Sequence, residues 1–286
     1  MTTTALVLGA TGTTGGRLTA RLLAGGHRVR AASRGATAVG GATPVRFDWY
    51  DPGTWQGAVG DADRVYLVPP LGATSPADTM LPFLRLARAA GVRRAVLLSS
   101  SAIPAGGPAT GLVHQALPGL FPEWAVLRPS WFMQNFTGDH MHAHTVRDEA
   151  ALYSATGEGR VGFVDADDIA EVALHALTDT HAPGTDLVLT GPEALRFDDV
   201  AAILGDATGR TVTHRRLTRA QMRDRLAASL PAEFAGLLAD MDDAIARGAE
   251  DRTTDTVLRL TGRPPRDFRT HVAHALGEAG AVPVPR

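Results

Sequence analysis

The octapeptide Gly9-Ala10-Thr11-Gly12-Thr13-Thr14-Gly15-Gly16 lies directly after the apolar run Thr4-Ala5-Leu6-Val7-Leu8 and opens an amphipathic stretch that ends at Gly25-Gly26. Three glycines at this spacing, between a strand and a helix, leave few choices. Gly9 permits a tight turn, Gly12 lets the backbone approach a pyrophosphate, and Gly15 lets the helix pack closely on the strand. The free N–H groups and the positive end of the helix then face the phosphates. Thr11, Thr13 and Thr14 can add hydroxyl donors. The pattern predicts nucleotide binding; the alternative is a purely structural glycine turn.

The pattern continues as alternating strands and helices. Strands are expected at Thr4–Leu8, 27–32, 45–47, 64–68 and 95–99, then at 124–127 and Asp186–Leu189. Helices are expected at Thr13–Ala24, 52–59 and 76–90. Near-continuous apolar strands separated by helices imply a parallel sheet covered on both faces. After Arg128 the rhythm changes to helical pieces at 137–148, 167–178, 197–208, 218–229, 231–248 and 267–276. The expected fold class is α/β: a doubly wound, parallel Rossmann-type sheet with a smaller, mainly helical C-terminal substrate lobe. Residues 1–130 would form the dinucleotide-binding domain, with strand 186–190 returning to its sheet. Residues 131–286 would mainly form the substrate-side lobe, folded over the carboxyl ends of the strands.

The end of the second strand identifies the cofactor. A site for NAD carries a carboxylate there, for the ribose 2′-hydroxyl. Here the segment is Val29-Arg30-Ala31-Ala32-Ser33-Arg34. Ser33 and Arg34 suit a 2′-phosphate, because guanidinium pairs well with phosphate oxygens; otherwise Arg34 is a solvated loop arginine. Arg30 could face the same site. Asp48 is placed to border the adenine or to close a turn. Val68, Pro69 and Pro70 would wall the ribose and nicotinamide side, or simply end the strand. The expected cofactor is NADP(H).

Composition excludes several chemistries. The 286 residues contain no cysteine, so disulfides, thiolate metal sites and thiol catalysis are ruled out. Lysine is also absent, and all 28 formally basic residues other than histidine are arginines. The net charge of -2 comes without any basic block, so a nucleic-acid partner has no electrostatic support. Apolar runs are too short to cross a bilayer. The chain enters its first strand without a charged leader, which predicts a cytoplasmic protein. The run Asp139-His140-Met141-His142-Ala143-His144 places His140 and His144 on one helix face, but no second set of ligands accompanies it and no metal is expected. Asp165, Asp167 and Asp168 read as N-cap and first-turn carboxylates of the helix that follows.

Over nearly its full length the chain resembles the NmrA-like, atypical short-chain dehydrogenase/reductase proteins, and most of all their ergot-alkaloid (festuclavine and agroclavine) dehydrogenase-like branch. The resemblance rests on the glycine motif, on Ala32-Ser33-Arg34 and on Leu127-Arg128-Pro129-Ser130-Trp131-Phe132-Met133-Gln134-Asn135-Phe136. Gly157-Glu158-Gly159-Arg160-Val161, Val164-Asp165-Ala166-Asp167-Asp168-Ile169-Ala170 and Leu189-Thr190-Gly191-Pro192-Glu193-Ala194 also match. So does Thr261-Gly262-Arg263-Pro264-Pro265-Arg266-Asp267-Phe268. It implies an NADPH-binding fold and, for the alkaloid branch, hydride delivery to an iminium carbon. It also leaves room for members that only sense the NADP redox state.

The missing residues narrow the reaction. Typical short-chain reductases use Tyr-x-x-x-Lys to protonate a developing alkoxide. This chain has no lysine, and its tyrosines, Tyr50, Tyr66 and Tyr153, all lie outside the stretch where that motif would belong. Ser99, Ser100 and Ser101 end the fifth strand and read as strand-end and cofactor-loop residues. An acceptor that is already charged or strongly electrophilic, such as an iminium, enone or quinone, needs less acid than a ketone. His114, in the helical stretch 111–117, is the remaining proton donor, or else a packed histidine. Ser130, Trp131, Phe132, Met133 and Asn135 would line a pocket for a flat, polycyclic small molecule, with Phe136 in the core. The first reading is an NADPH-dependent reductase, possible in secondary metabolism. The alternatives are a non-catalytic redox-sensing regulator and a non-redox enzyme on the same fold.

Overall fold

The computed structural model describes residues 2–280. In chain order the elements are β1 (Thr4–Leu8), α1 (Thr13–Ala24), β2 (Arg28–Ser33), β3 (Thr43–Arg46), α2 (Trp55–Val59), β4 (Arg64–Leu67), α3 (Ala77–Ala89) and β5 (Arg94–Leu98). They continue with α4 (Gly111–Leu120), β6 (Glu123–Pro129), α5 (Met141–Glu149), β7 (Ala151–Ser154), β8 (Arg160–Val161), α6 (Ala166–Thr178) and β9 (Asp186–Leu189). Last come β10 (Leu195–Arg196), α7 (Phe197–Thr208), β11 (Thr213–Arg216), α8 (Arg219–Ala227), α9 (Ala232–Ala246), α10 (Thr256–Thr261) and α11 (Phe268–Gly280).

Seven strands form one sheet in the order β3-β2-β1-β4-β5-β6-β9, and every pairing is parallel. The order reverses between β1 and β4. That is the switch point of a doubly wound sheet, where the carboxyl ends of the strands leave a crevice. All five residues of β1 are buried, as a central strand covered on both faces requires. Helix α1 buries Thr14, Gly15, Leu18, Thr19 and Leu22, a stripe at helical spacing. An edge-to-face group of Phe47, Trp49, Trp55 and Phe83, with ring centroids 4.9–5.7 Å apart, pins the turn after β3. Both indole N–H groups in it are satisfied: Trp49 donates to the Val68 carbonyl at 3.1 Å and Trp55 to the Asp48 carbonyl at 3.0 Å.

The chain divides into two compact units, and the division departs from a cut near residue 130. The first unit is Met1–Pro129, Ala166–Leu189 and Arg259–Gly262; the second is Ser130–Asp165, Thr190–Leu258 and the segment from Arg263 onward. Helix α6 therefore belongs with the sheet. Two arginines help to account for this. Arg21 of α1 pairs with Asp167 at 2.8 Å and Glu171 at 2.9 Å. The buried Arg94 of β5 donates to the Leu177 carbonyl at 3.0 Å and the Asp179 carbonyl at 2.7 Å, closing the carboxyl end of α6.

The second unit is mainly helical, with two small sheets that the sequence did not predict: β8 with β10, antiparallel, and β7 with β11, parallel. Its core holds Phe136, Phe163, Phe197 and Phe268 in edge-on contact. His142 of α5 is buried and stacked on Phe136 at 5.3 Å. Burial pushes its imidazole from 6.5 down to about 3. The folded state thus prefers the neutral ring, and the stability this contributes is present above pH 6.5 and lost as pH falls toward 3. His142→Phe is expected to flatten the loss of thermal stability between pH 7 and pH 4.5, read as melting temperature against pH. An unchanged slope would show that another group controls it.

Candidate cofactor site

The glycine turn has the geometry its sequence requires. Gly9 adopts φ 65°, a left-handed conformation that side chains disfavour. A Cβ on Gly15 would lie 2.2 Å from the Gly9 carbonyl oxygen, so only glycine allows α1 to approach the end of β1 this closely. Gly12 caps the helix without a side chain, and the first turn carries no acidic residue. The N–H groups of Thr13, Thr14 and Gly15 have no intrahelical acceptor by position. An uncovered row of amides at the positive end of a helix, with no carboxylate beside it, fits the pyrophosphate of a dinucleotide.

The adjoining cleft, about 590 Å³, is lined by Leu8, Gly9, Thr11, Gly12, Ala32, Ser33, Arg34, Phe47, Asp48, Trp49, Tyr50, Val68, Pro69, Pro70 and Leu71. It gathers Gly9, Thr11, Gly12, Ser33, Arg34, Asp48, Val68, Pro69 and Pro70, nine of the residues singled out from the sequence, from the ends of four strands, β1 to β4. Arg34 is exposed there with no hydrogen bond or ion pair among the described residues. The Ser33 hydroxyl accepts from the Thr37 amide at 2.9 Å and keeps its own proton for donation. One Asp48 oxygen accepts from the Tyr50 amide at 3.0 Å, which closes a turn at the rim of the cleft.

Other residues singled out from the sequence have different surroundings. Thr14 is only 4% exposed and its hydroxyl accepts a hydrogen bond from the buried Tyr66 hydroxyl at 3.1 Å, so its side chain is held within the packing against β4 and its main-chain amide is what it offers a phosphate. Arg30 is committed elsewhere: it donates to the Ala58 carbonyl at 2.9 Å and the Gly57 carbonyl at 2.7 Å, at the end of α2. Thr13, Gly15 and Ser99 are not among the cleft-lining residues. The Ser99 hydroxyl lies 2.7 Å from that of Thr110. Trp49, Tyr50 and Leu71 line the cleft and were not singled out. Tyr50 is 71% and Leu71 98% exposed, so neither carried the periodic signal that marks a buried residue.

Elsewhere in the first unit, His114 on α4 is only 6% exposed, and its Nδ1 is buried without a partner. Burial holds its imidazole below the ordinary value. Arg128 spans Asp186 at 2.6 Å and the carbonyls of Ser100 and Ser101, fixing the loop after β5. In the second unit, Ser130 is buried with an unpartnered hydroxyl, while Trp131, Phe132 and Asn135 are half-buried. Met133 is 1% exposed within the phenylalanine cluster, so it is a packing residue and not a pocket wall. The histidine run is likewise structural: His140 caps α5 by accepting from the His142 amide at 3.2 Å, and no group of three or more metal-ligating side chains occurs among the described residues. No helix among those residues is long and apolar enough to cross a membrane.

Comparison with known proteins agrees with this geometry. Residues 9–180 match the NAD(P)H-binding family. The chain is 44% identical to the uncharacterized oxidoreductase YesF of Bacillus subtilis over 269 residues, covering 94% of this chain and 93% of that one. It is 36% identical to festuclavine synthase II of Penicillium roqueforti over 283 residues, covering 95% and 98%. The NADPH-dependent quinone oxidoreductase of Escherichia coli, solved with NADPH, shares the fold with a TM-score of 0.80 at 22% identity, covering 96% of this chain and 99% of that one. With the glycine cradle, the parallel sheet and these similarities together, the chain belongs to the NAD(P)H-binding, NmrA-like family of oxidoreductases.

Proposed function

We propose that this protein is an NADPH-dependent reductase of an electrophilic small molecule of iminium, enone or quinone type, flat or polycyclic in shape. The observation that carries the reading is the lack of a tyrosine–lysine dyad. There is no lysine, the Tyr66 hydroxyl is buried against Thr14, and Tyr153 is bonded to Glu149 at 2.7 Å. Burial also raises the phenol of Tyr66 further out of reach of ionisation. A site without a strong acid favours acceptors that need little protonation. The names of relatives, festuclavine synthase among curated proteins and quinone oxidoreductase among solved folds, point the same way.

When bound, the cofactor supplies a hydride from its nicotinamide. The protein's part begins at the glycine cradle, where Gly9, Thr11, Gly12, Thr13, Thr14 and Gly15 hold the pyrophosphate through main-chain amides. Ser33 and Arg34 take the 2′-phosphate and set the preference for NADPH. Asp48, Val68, Pro69 and Pro70 border the adenosine. Ser99 supports the cofactor loop at the end of β5. Ser130, Trp131, Phe132 and Asn135 bind the substrate. The half-burial of Trp131, Phe132 and Asn135 suits a flat apolar guest, and the unpartnered Ser130 hydroxyl supplies a polar contact.

His114 provides the proton where one is needed. Its unpartnered, buried Nδ1 and lowered pKa keep it neutral at pH 7, and it becomes charged only below 6.5. Turnover of an enone or quinone should therefore rise as pH falls below 6.5, and His114→Asn should remove that rise and lower kcat about 100-fold. Turnover of a preformed iminium should change little. An unaltered pH profile for the enone would remove His114 from the reaction.

The test of the function is anaerobic NADPH oxidation with a panel of iminium salts, enones and quinones. Prompt turnover with one class is the expected result. Tight binding of both NADPH and NADP⁺ with negligible oxidation across the panel would instead favour a redox-sensing regulator.

A further inference from the structure

The Asp165 carboxylate is fully buried, and among the groups that meet it are three donors from distant parts of the second unit. The Gln134 side-chain amide donates to one oxygen at 2.8 Å. Arg266 at 2.8 Å and His271 Nδ1 at 2.9 Å meet the other. The opposite ring nitrogen of His271 lies 2.8 Å from the Thr137 hydroxyl. Gln134 lies within the short helical turn Met133–Phe136 and Thr137 directly follows it, so the hub grips that turn at two points. Main-chain bonds from the Met133 amide to the Val164 carbonyl at 3.0 Å, and from the Val164 amide to the Trp131 carbonyl at 2.9 Å, tie the same segment to the residue before Asp165.

We propose that Asp165 is a positioning residue for the substrate: acting through Gln134 and through His271 and Thr137, it holds the segment 131–137 in the one arrangement that presents Trp131, Phe132 and Asn135. The proposal rests on the reading that this segment binds the acceptor. A buried carboxylate stabilises a core no better than a well-packed apolar residue would, and losing its donors is costly. What it adds is direction. The surrounding phenylalanines pack edge-on and would tolerate small shifts of the turn, whereas two bond chains of fixed length do not. Two of the three donors, Arg266 and His271, come from the start of α11 and the loop before it, so the C-terminal part of the chain acts as the latch for this segment.

The test is the double variant Gln134→Ala, Thr137→Val, which disconnects the segment while leaving Asp165 with Arg266 and His271. Amide hydrogen exchange in 131–137 should quicken about tenfold, while that of β1 and α1 is unchanged. KM for menadione, or for the panel acceptor that turns over fastest, should rise about tenfold or more, with NADPH affinity within about twofold of the parent. In the Gln134→Ala background, Thr137→Ser should recover more of the KM than Thr137→Val, because it restores the hydroxyl that meets His271. Unchanged exchange, or faster exchange with an unchanged KM, overturns the proposal. Trp131→Ala separates the two readings. If it raises KM and the double variant does not, the role of Asp165 fails while the substrate assignment stands. If it leaves KM unchanged, the substrate assignment fails and the proposal falls with it.

Discussion

Replacing Gly15 with alanine is expected to abolish measurable NADPH binding, weakening it at least about 100-fold, and to lower the melting temperature by about 5 °C. The added Cβ would lie 2.2 Å from the Gly9 carbonyl oxygen, 2.8 Å from the Gly9 carbonyl carbon and 3.2 Å from the Ala10 Cα. All three are main-chain atoms, so no side chain can swing aside. The helix must withdraw from the strand end or the turn must open, and either movement disperses the amides that meet the pyrophosphate. Overpacking of this kind costs about 1–3 kcal/mol. Gly119→Ala is the matched control, because a Cβ there meets nothing within 4 Å. Fluorescence titration with NADPH and thermal melts of both variants check the expectation. Binding by Gly15→Ala within about threefold of the parent would exclude the cradle as the phosphate site.

Arg34→Glu is expected to weaken NADPH about 100-fold and NADH no more than about threefold, inverting the preference between them. Hydrogen bonds from a charged donor contribute about 1.5–3 kcal/mol, and about 1.4 kcal/mol corresponds to a tenfold change in affinity. Arg34 has no partner among the described residues that would compete for its guanidinium, and reversing its charge adds repulsion of the 2′-phosphate. Arg30→Glu is the informative comparison. That guanidinium is bound to the Gly57 and Ala58 carbonyls, so its loss should lower stability without altering the ratio of the two affinities. Equal losses for NADPH and NADH in Arg34→Glu would remove it from the 2′-phosphate site.

Much of the first unit was legible before any coordinates. Strand β1, helix α1 and strand β9 begin and end where the apolar pattern and the flanking glycines place them, and the other sheet strands differ by a residue or two at their ends. These elements depend on local periodicity and on turn residues, both of which are written along the chain. The absence of lysine and cysteine, and with it the exclusion of a tyrosine–lysine dyad, needs no structure at all. The second unit was less legible. Strands β7 and β11 pair across some sixty residues, and neither has the alternating pattern of a half-buried strand.

Side-chain direction was hidden throughout. Arg30 and Arg34 look interchangeable in sequence, yet one closes a helix end and the other faces the cleft. Thr14 reads as a phosphate donor and is instead claimed by Tyr66. Asp165, Asp167 and Asp168 stand where the sequence puts them, one directly before α6 and two in its first turn, but nothing along the chain shows that Asp165 also collects Gln134, Arg266 and His271. The order of apolar, glycine and β-branched residues thus set the strand–turn–helix cradle and the sheet it belongs to, because those preferences act between near neighbours. Which polar groups stay free for a ligand was decided only by tertiary structure, since a buried donor or acceptor takes whatever partner the fold brings to it, however far away in the chain.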